Sequence, residues 1–252
     1  MSISISVITA TYNREDTIEN VIKSVQLQTF PAFEHLIQDG GSTDETLPLI
    51  RRLTNSRTHL VSEKDGGIYD AINKGIKRAS GAVIGLMHSD DFFASETILA
   101  KVAAAFEQSS IDGVYGDLEY VSATDPNRII RHWRAGPYTP ERLKWGWMPP
   151  HPTLYLRREI FTRWGEYDTS YQIAADYDAM LRWLVRGQIK LAYIPQVMVK
   201  MRIGGESNRS LGRVMQKSRE DLRAIRTNGI GGLGTLVCKN TRKLGQFLER
   251  KT

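Results

Sequence analysis

A single cysteine, Cys238, is the only thiol in this sequence of 252 residues. No internal disulfide can form, and a reducing, cytoplasmic setting is the simplest expectation. No run of about 18 apolar residues occurs, so no segment is expected to span a bilayer. The least charged late stretch, 229–238, is short and rich in glycine. The amino terminus lacks the basic region of a secretory leader, and its first apolar residues alternate with serine. There is no internal repeat. A phosphate-binding P-loop and a G-x-G-x-x-G fingerprint are both missing, which removes the main support for a kinase-like or dinucleotide-binding reading.

Basic charge is scarce where a pocket could form. The formal net charge is +6, but residues 208–252 hold 11 Lys/Arg against 3 Asp/Glu, a net of +8. Residues 1–207 hold 23 Lys/Arg against 25 Asp/Glu, a net of −2. A slightly acidic body argues against nucleic acid as a partner. The expected division is therefore a domain over 1–207, in two parts (1–121 and 122–207), followed by a basic helical tail over 208–252. Contact of that tail with an anionic membrane surface is one expectation. A solvated tail, or a helix packed on the body or on a second copy, is the other.

Strand and helix patterns alternate through the first half. Strands are expected at 4–10, 33–38, 60–62, 82–87 and 113–121. Between them, Ile18, Val21, Ile22 and Val25 recur at helical spacing, as do Leu47, Ile50 and Leu53, then Ile68, Ala71, Ile72 and Ile76, then Ile98, Leu99, Val102 and Phe106. Asn13, Asp44 and Ser95 are expected helix caps and Gly81 an expected helix stop. Alternation of this kind predicts an α/β fold with a mainly parallel sheet flanked by helices. The second half is less regular. Strands are expected at 129–134, 153–156, 190–194 and 197–203, a structured loop at 137–152 and a helix at 175–186. The segment after 208 is helical in pattern and broken at 229–234.

Ligands of open α/β sheets bind at the carboxyl ends of strands. Asp39, Asp65 and the pair Asp90-Asp91 all follow strand ends, so they are expected to converge on one rim. Adjacent carboxylates repel, and a divalent cation holding a diphosphate relieves this, since hard cations take oxygen ligands. The pair would equally suit the start of a helix. Asp39, in Gln-Asp-Gly-Gly-Ser-Thr-Asp, could accept from a base or ribose or simply form a turn. Asp65-Gly66-Gly67, with Asn73 and Lys74 beyond, carries the same two readings. Asp176 and Asp178 open a late helix, where a carboxylate can cap or can serve as a general base. His151 between two prolines could touch a phosphate or metal, though a loop histidine is more often polar surface. Trp145 and Trp147 could stack on a sugar or fill a core.

The pieces TATYNRE, QDGGSTDET, EKDGGIYDAINKGI, GLMHSDDFF and AADYDAMLRW occur in this order between residues 4 and 207. Together they resemble glycosyltransferase family 2, with its GT-A fold, in the branch that makes bacterial surface polysaccharides such as O-antigen. The resemblance implies that Thr9, Ala10, Thr11, Tyr12 and Asn13 line the nucleotide. It implies that Asp39 contacts the base and that Asp65, Asn73, Ser89 and Asp90 hold the donor. His88-Ser89-Asp90 stands at the family's D-x-D motif with the first acid replaced. Asp90, with Asp91 beside it, would then contact Mn²⁺ or Mg²⁺. The family's Glu-Asp pair appears as Ala175-Asp176, with Asp176 as the base. The Gln-x-x-Arg-Trp motif of processive members is absent, so transfer of a single sugar is expected.

By this resemblance the donor is a nucleoside diphosphate sugar, most often a UDP-sugar in the family, with 1–121 as the nucleotide-sugar-binding half and 122–207 as the acceptor-side half. The acceptor is a saccharide or a lipid-linked saccharide. The protein would be cytoplasmic, or peripheral at the inner face of the membrane. A nucleotidyltransferase of related fold and a non-catalytic nucleotide-sugar binder are the alternatives. The first usually needs a glycine-rich basic loop that the Thr-Ala-Thr-Tyr-Asn-Arg turn lacks. The second needs no base.

Overall fold

The computed structural model describes residues 3–107, 110–203 and 211–245. Its strands are β1 (Ile5–Thr11), β2 (Phe33–Asp39), β3 (Thr58–Ser62), β4 (Val83–Leu86), β5 (Phe92–Phe93), β6 (Gly113–Val121), β7 (Ile129–Trp133), β8 (Tyr155–Arg157) and β9 (Leu191–Arg202). The helices are α1 (Ile18–Gln26), α2 (Thr46–Leu53), α3 (Ile68–Arg78), α4 (Ile98–Phe106), α5 (Glu141–Lys144), α6 (Arg158–Trp164), α7 (Ala175–Leu181), α8 (Leu211–Thr227) and α9 (Leu233–Gly245).

The strands form one mixed sheet in the order β3-β2-β1-β4-β8-β6-β9-β5, with β7 paired to β6. β3, β2, β1 and β4 run parallel. β8 is antiparallel to both β4 and β6, while β9 returns parallel to β6. β1 is buried along its whole length, as a strand covered on both faces must be. One apolar layer packs α1 and α4 against Val7, Ile37 and Val114. The other packs α3, α6, α7 and Ile225 of α8 against Ile8, Leu36 and Tyr115.

Several local expectations are corrected. Asn13 does not cap α1: its backbone is left-handed (φ 49°), and its side chain accepts the Thr43 N–H instead. α4 starts after Thr97, two residues beyond Ser95. Gly81 does not stop α3, which ends as Ala79 turns extended. Gly81 lies against β1, where a Cβ would come 2.7 Å from the Ser6 nitrogen. Asp44 accepts from the Thr46 N–H, though the capping position itself is Glu45. The segments 190–194 and 197–203 are one strand, β9, whose register shifts opposite Gly116 and Asp117. The expected helix 175–186 is helical throughout, α-helical to Leu181 and a wider π-helical turn over Arg182–Arg186. The loop at 137–152 holds α5 and the start of a 3₁₀ turn at His151–Thr153. β5 and α6 went unforeseen, because each is too short to show a period.

The expected boundary at 207/208 lies outside the described residues. The described part of the basic segment is packed on the body: α8 lies against α7 and α9 against α8. Among the described residues, no helix is long and apolar enough to cross a membrane.

Close approach of β4 and β8 depends on Gly85, where an added Cβ would sit 2.1 Å from the Tyr155 ring. Tyr155 is fully buried and has nowhere to move. Gly85→Ala is expected to lower the unfolding free energy by about 1–3 kcal/mol, the usual cost of overpacking. A denaturant midpoint equal to that of the parent would contradict this packing.

Candidate active site

The carboxyl ends of β1 and β2 are tied together by polar contacts. The Asn13 N–H donates to Ser42 Oγ (2.9 Å), and the Ser42 hydroxyl donates to Asp39 Oδ1. Asp39 Oδ2 accepts from the N–H groups of Gly41 (3.0 Å) and Ser42 (2.9 Å) and from the Ser62 hydroxyl (2.7 Å). The Asp39 carboxylate is thus buried and occupied. Gly41 makes the turn possible, at φ 84°. Thr9 is buried against His35 Nε2 (2.9 Å). Ala10 is packed in the core, whereas Thr11 keeps a buried hydroxyl without a hydrogen-bond partner. Tyr12 is exposed on the rim.

Asp65 stands beside this turn, close enough to Gly40 that a Cβ there would touch its carboxylate at 2.6 Å. Asp65 Oδ1 accepts from the Gly67 N–H at the start of α3. Asn73, one turn into that helix, is buried and pairs with the Tyr167 backbone. It donates to the Tyr167 carbonyl (2.8 Å) and accepts from the Tyr167 N–H (3.0 Å). Its work is to hold the loop carrying Tyr167.

β4 ends at His88-Ser89-Asp90-Asp91. Ser89 is buried, and its carbonyl accepts from Thr17. Asp90 is half-buried, and its backbone carbonyl is held by Arg202 (2.6 Å). Asp91 is turned inward with 0 % exposure, and neither oxygen has a hydrogen-bond partner. Burial first, then the charge of Asp90, pushes its carboxyl well above the ordinary range, against the opposing Arg202.

A cation on a diphosphate needs only one or two protein carboxylates, with phosphate and water supplying the rest. Among the described residues, no group of three or more His, Cys, Asp or Glu could hold a metal alone. Asp90 fits the limited role. Asp91, expected beside it, has its carboxyl turned inward, away from solvent.

Asp176 lies in the first turn of α7 and is 26 % exposed. Its Oδ2 is 4.0 Å from His151 Nδ1, and its Oδ1 is 3.4 Å from the Tyr69 hydroxyl. That hydroxyl donates to the Ile173 carbonyl (2.7 Å). His151 is buried, with Nε2 2.9 Å from the Tyr167 hydroxyl, so it is not the surface residue its loop suggested. Its ring lies 5.6 Å from that of His88, which interacts with both Asp90 and Asp176. The β4 end and α7 therefore meet through two histidines.

Burial raises the Asp176 carboxyl. The charges of His151, Lys217 and Lys239 and the Tyr177 N–H outweigh it and hold the group below the usual carboxylate range. Burial pushes His151 down to about 4, against the pull of Asp176. Asp178 faces elsewhere: it accepts from Asn228 Nδ2 (3.0 Å) and Tyr171 (3.3 Å) and pairs with Arg182 (3.7 Å). Residues i and i+2 of a helix leave on different faces, and here the two aspartates separate accordingly.

Of the two tryptophans, Trp147 is core. It donates to the Ala135 carbonyl and stacks on Tyr138. Trp145 is exposed. Tyr69, Tyr167, Lys217 and Lys239 were not foreseen. Tyr69 alone had a signal, since it lies two residues after Gly66-Gly67. An open cavity lined by Lys77, Arg157, Arg158 and Glu166 also exists, but it lies at the amino end of β4, opposite these groups.

The sequence model described as "Glycosyl transferase family 2" matches residues 6–165. The chain belongs to that family. It is 30 % identical over 208 residues to the PGL/p-HBAD biosynthesis glycosyltransferase of Mycobacterium bovis, covering 81 % of this chain and 78 % of that one. Among solved structures, it is similar to the mannosyltransferase PcManGT of Pyrobaculum calidifontis in complex with GDP-Man and Mn²⁺. The TM-score there is 0.68 at 16 % identity, covering 98 % of this chain and 71 % of the other. S. aureus TarS 1-349 in complex with UDP-GlcNAc gives a TM-score of 0.67 at 19 % identity, covering 90 % and 66 %. The chain spans 45 % of a longer TarS chain. At these identities the structural likeness speaks for the fold, which is GT-A-like.

The buried histidines of this family 2 chain set a pH dependence. His35 is depressed to about 3 and His151 to about 4, each by burial, from an ordinary 6.5. Below pH 6.5 the unfolded chain takes up protons that the folded chain refuses, so stability falls as pH drops from 6.5 toward 4. His35→Gln, which keeps a donor toward Thr9, should flatten that slope in urea melts across the range. An unchanged slope would mean that His35 is protonated in the folded protein.

Proposed function

We propose that this chain is an inverting, metal-dependent glycosyltransferase. It moves one sugar from a nucleoside diphosphate sugar, a UDP-sugar in the first instance, to a hydroxyl of a saccharide or lipid-linked saccharide in bacterial surface polysaccharide synthesis. The observation that carries the reading is Asp176, an accessible carboxylate with a lowered pKa, joined through His151 and His88 to the strand end that bears Asp90. A purely binding protein has no use for such a group.

Asp176 accepts the acceptor's proton as its oxygen attacks the anomeric carbon. The bond to the diphosphate breaks on the opposite face, its electron pair leaves with the nucleoside diphosphate, and configuration inverts without a protein nucleophile. A divalent cation held through Asp90, when bound, offsets the charge that develops on the departing diphosphate. On the donor side, Tyr12 offers an exposed ring to the base, and Asp65 and Ser89 border the same rim. Asp39, at the end of β2, is read as the contact for the base, and Asn73 holds the Tyr167 loop on the same side. Absence of the Gln-x-x-Arg-Trp motif supports single transfer.

The test measures nucleoside diphosphate release and donor binding in parallel across a nucleotide-sugar panel with Mn²⁺. Asp176→Asn should cost on the order of 10²–10⁴ in turnover with donor affinity little changed. Asp178→Asn should lower stability and leave turnover near that of the parent, and Asp90→Asn should lose Mn²⁺-dependent donor binding. Parental turnover in Asp176→Asn with a dead Asp178→Asn would move the base. Full activity of Asp90→Asn in EDTA would remove the metal.

Membrane contact of the basic segment is part of the reading. It is supported by exposed Arg219 and Arg226 on α8 and by exposed Leu233 and Val237 on α9. Each basic residue near an anionic surface contributes roughly 1 kcal/mol, screened by salt. Arg219→Gln with Arg226→Gln should weaken sedimentation with phosphatidylglycerol vesicles at low salt. Identical sedimentation of parent and variant would count against the contact.

A further inference from the structure

The helix that carries Asp176 does not cap itself. Ala174 stands at its N-cap position, and no side chain of the α7 segment bonds the first turn from there. The first N–H groups of a helix have no internal partner and need one. The three successive N–H groups leading into α7 turn to one carboxylate from another element. Glu220 Oε2 accepts from Ile173 (2.8 Å) and Ala174 (2.9 Å), and Oε1 accepts from Gln172 (3.2 Å). Gln216, one turn earlier on α8, braces the arrangement by donating to Glu220 Oε1 (3.1 Å) and Gln172 Oε1 (2.7 Å). Consecutive N–H groups around an anion form a nest, a strong and directional site for a carboxylate.

The same stretch of chain is fixed at its other polar point. The Ile173 carbonyl accepts from the Tyr69 hydroxyl, which also lies 3.4 Å from Asp176. Tyr69 on one side and Glu220 on the other therefore hold residues 172–174, the segment that sets the position of Asp176. Glu220 lies well outside the 6–165 span that matches the family, and 44 residues of sequence separate it from Asp176.

We infer that Glu220 is a positioning residue for the transfer reaction: a carboxylate of α8 that caps α7 from outside and holds Asp176 in its reactive place. The inference rests on Asp176 being the base. α8 is then part of the catalytic framework, and the tie to α7 is renewed by Asn228, just past the end of α8, which donates to Asp178. Glu220 meets neither donor nor acceptor and acts only through the α7 start.

The experiment compares Glu220→Ala, Glu220→Gln, Arg223→Ala and Asp176→Asn in the full chain. It reads kcat as nucleoside diphosphate release, donor dissociation constant by titration, and thermal midpoint. Arg223 is the control. It also ties α8 to the loop before α7, through Ser170 (3.0 Å) and the Tyr171 ring, but does not touch the nest. Glu220→Ala should lose kcat by on the order of 10²-fold, the cost of a displacement near 1 Å, with donor affinity unchanged. Glu220→Gln, which keeps one acceptor oxygen in the nest, should recover most of that loss. Arg223→Ala should keep the parental kcat. Parental kcat in Glu220→Ala, or equal losses in Glu220→Ala and Arg223→Ala, would overturn the role of Glu220 while leaving Asp176 standing. Parental kcat in Asp176→Asn would instead overturn the base reading itself.

Discussion

A carboxylate partly withdrawn from water is costly unless its neighbours replace the hydration it has lost. Asp176 is under that constraint, and much of the second half of the chain is arranged around it. Its own helix supplies the Tyr177 N–H. His151 comes from the turn after the Pro149-Pro150 pair and Tyr69 from the start of α3. Lys217 and Lys239 come from the basic segment, where both pair with the buried Asp221 at 3.4 and 2.6 Å. Lys239 also lies over the Tyr177 ring at 3.6 Å, and its backbone presses on Gly146. Part of the basic charge after 208 is therefore internal charge. It balances an acidic interior instead of facing solvent.

The donor side is organised by a different device. There the groups at the strand ends are satisfied by one another, loop to loop. Ser42 both accepts from Asn13 and donates to Asp39, so the first two strand–helix turns behave as one unit. The rim is thereby pre-shaped without a bound ligand, and Tyr12 is left exposed on it. Pre-organisation of this kind lowers the ordering cost of binding a flexible nucleotide sugar.

Much of this was legible in the residues. Helical spacing of Ile18, Val21, Ile22 and Val25 located α1, and all four are fully buried. The run 113–121 located β6 to the residue. The acidic and glycine residues after β2, β3 and β4 marked the rim, because only strand ends of such a sheet tolerate them. Short elements were missed, since β5 and α6 offer too few residues for a period to show. Caps were misassigned at Asn13 and Ser95, because either residue type serves a turn as readily as a helix start. The bland reading of His151 failed for want of a local signal: burial of a histidine depends on what packs over it.

Local pattern by itself determined the strand–helix alternation, the placing of acids at strand ends and the family likeness, because each rests on residues near in sequence. Tertiary structure alone decided which of two adjacent carboxylates stays accessible. Asp90 and Asp91 are neighbours in the chain yet differ in solvent access, and Asp176 and Asp178 part company on one helix turn. It alone decided, too, that a glutamate 44 residues away caps α7. Burial and electrostatic compensation are properties of the space around a group, and that space is filled by segments remote in the sequence.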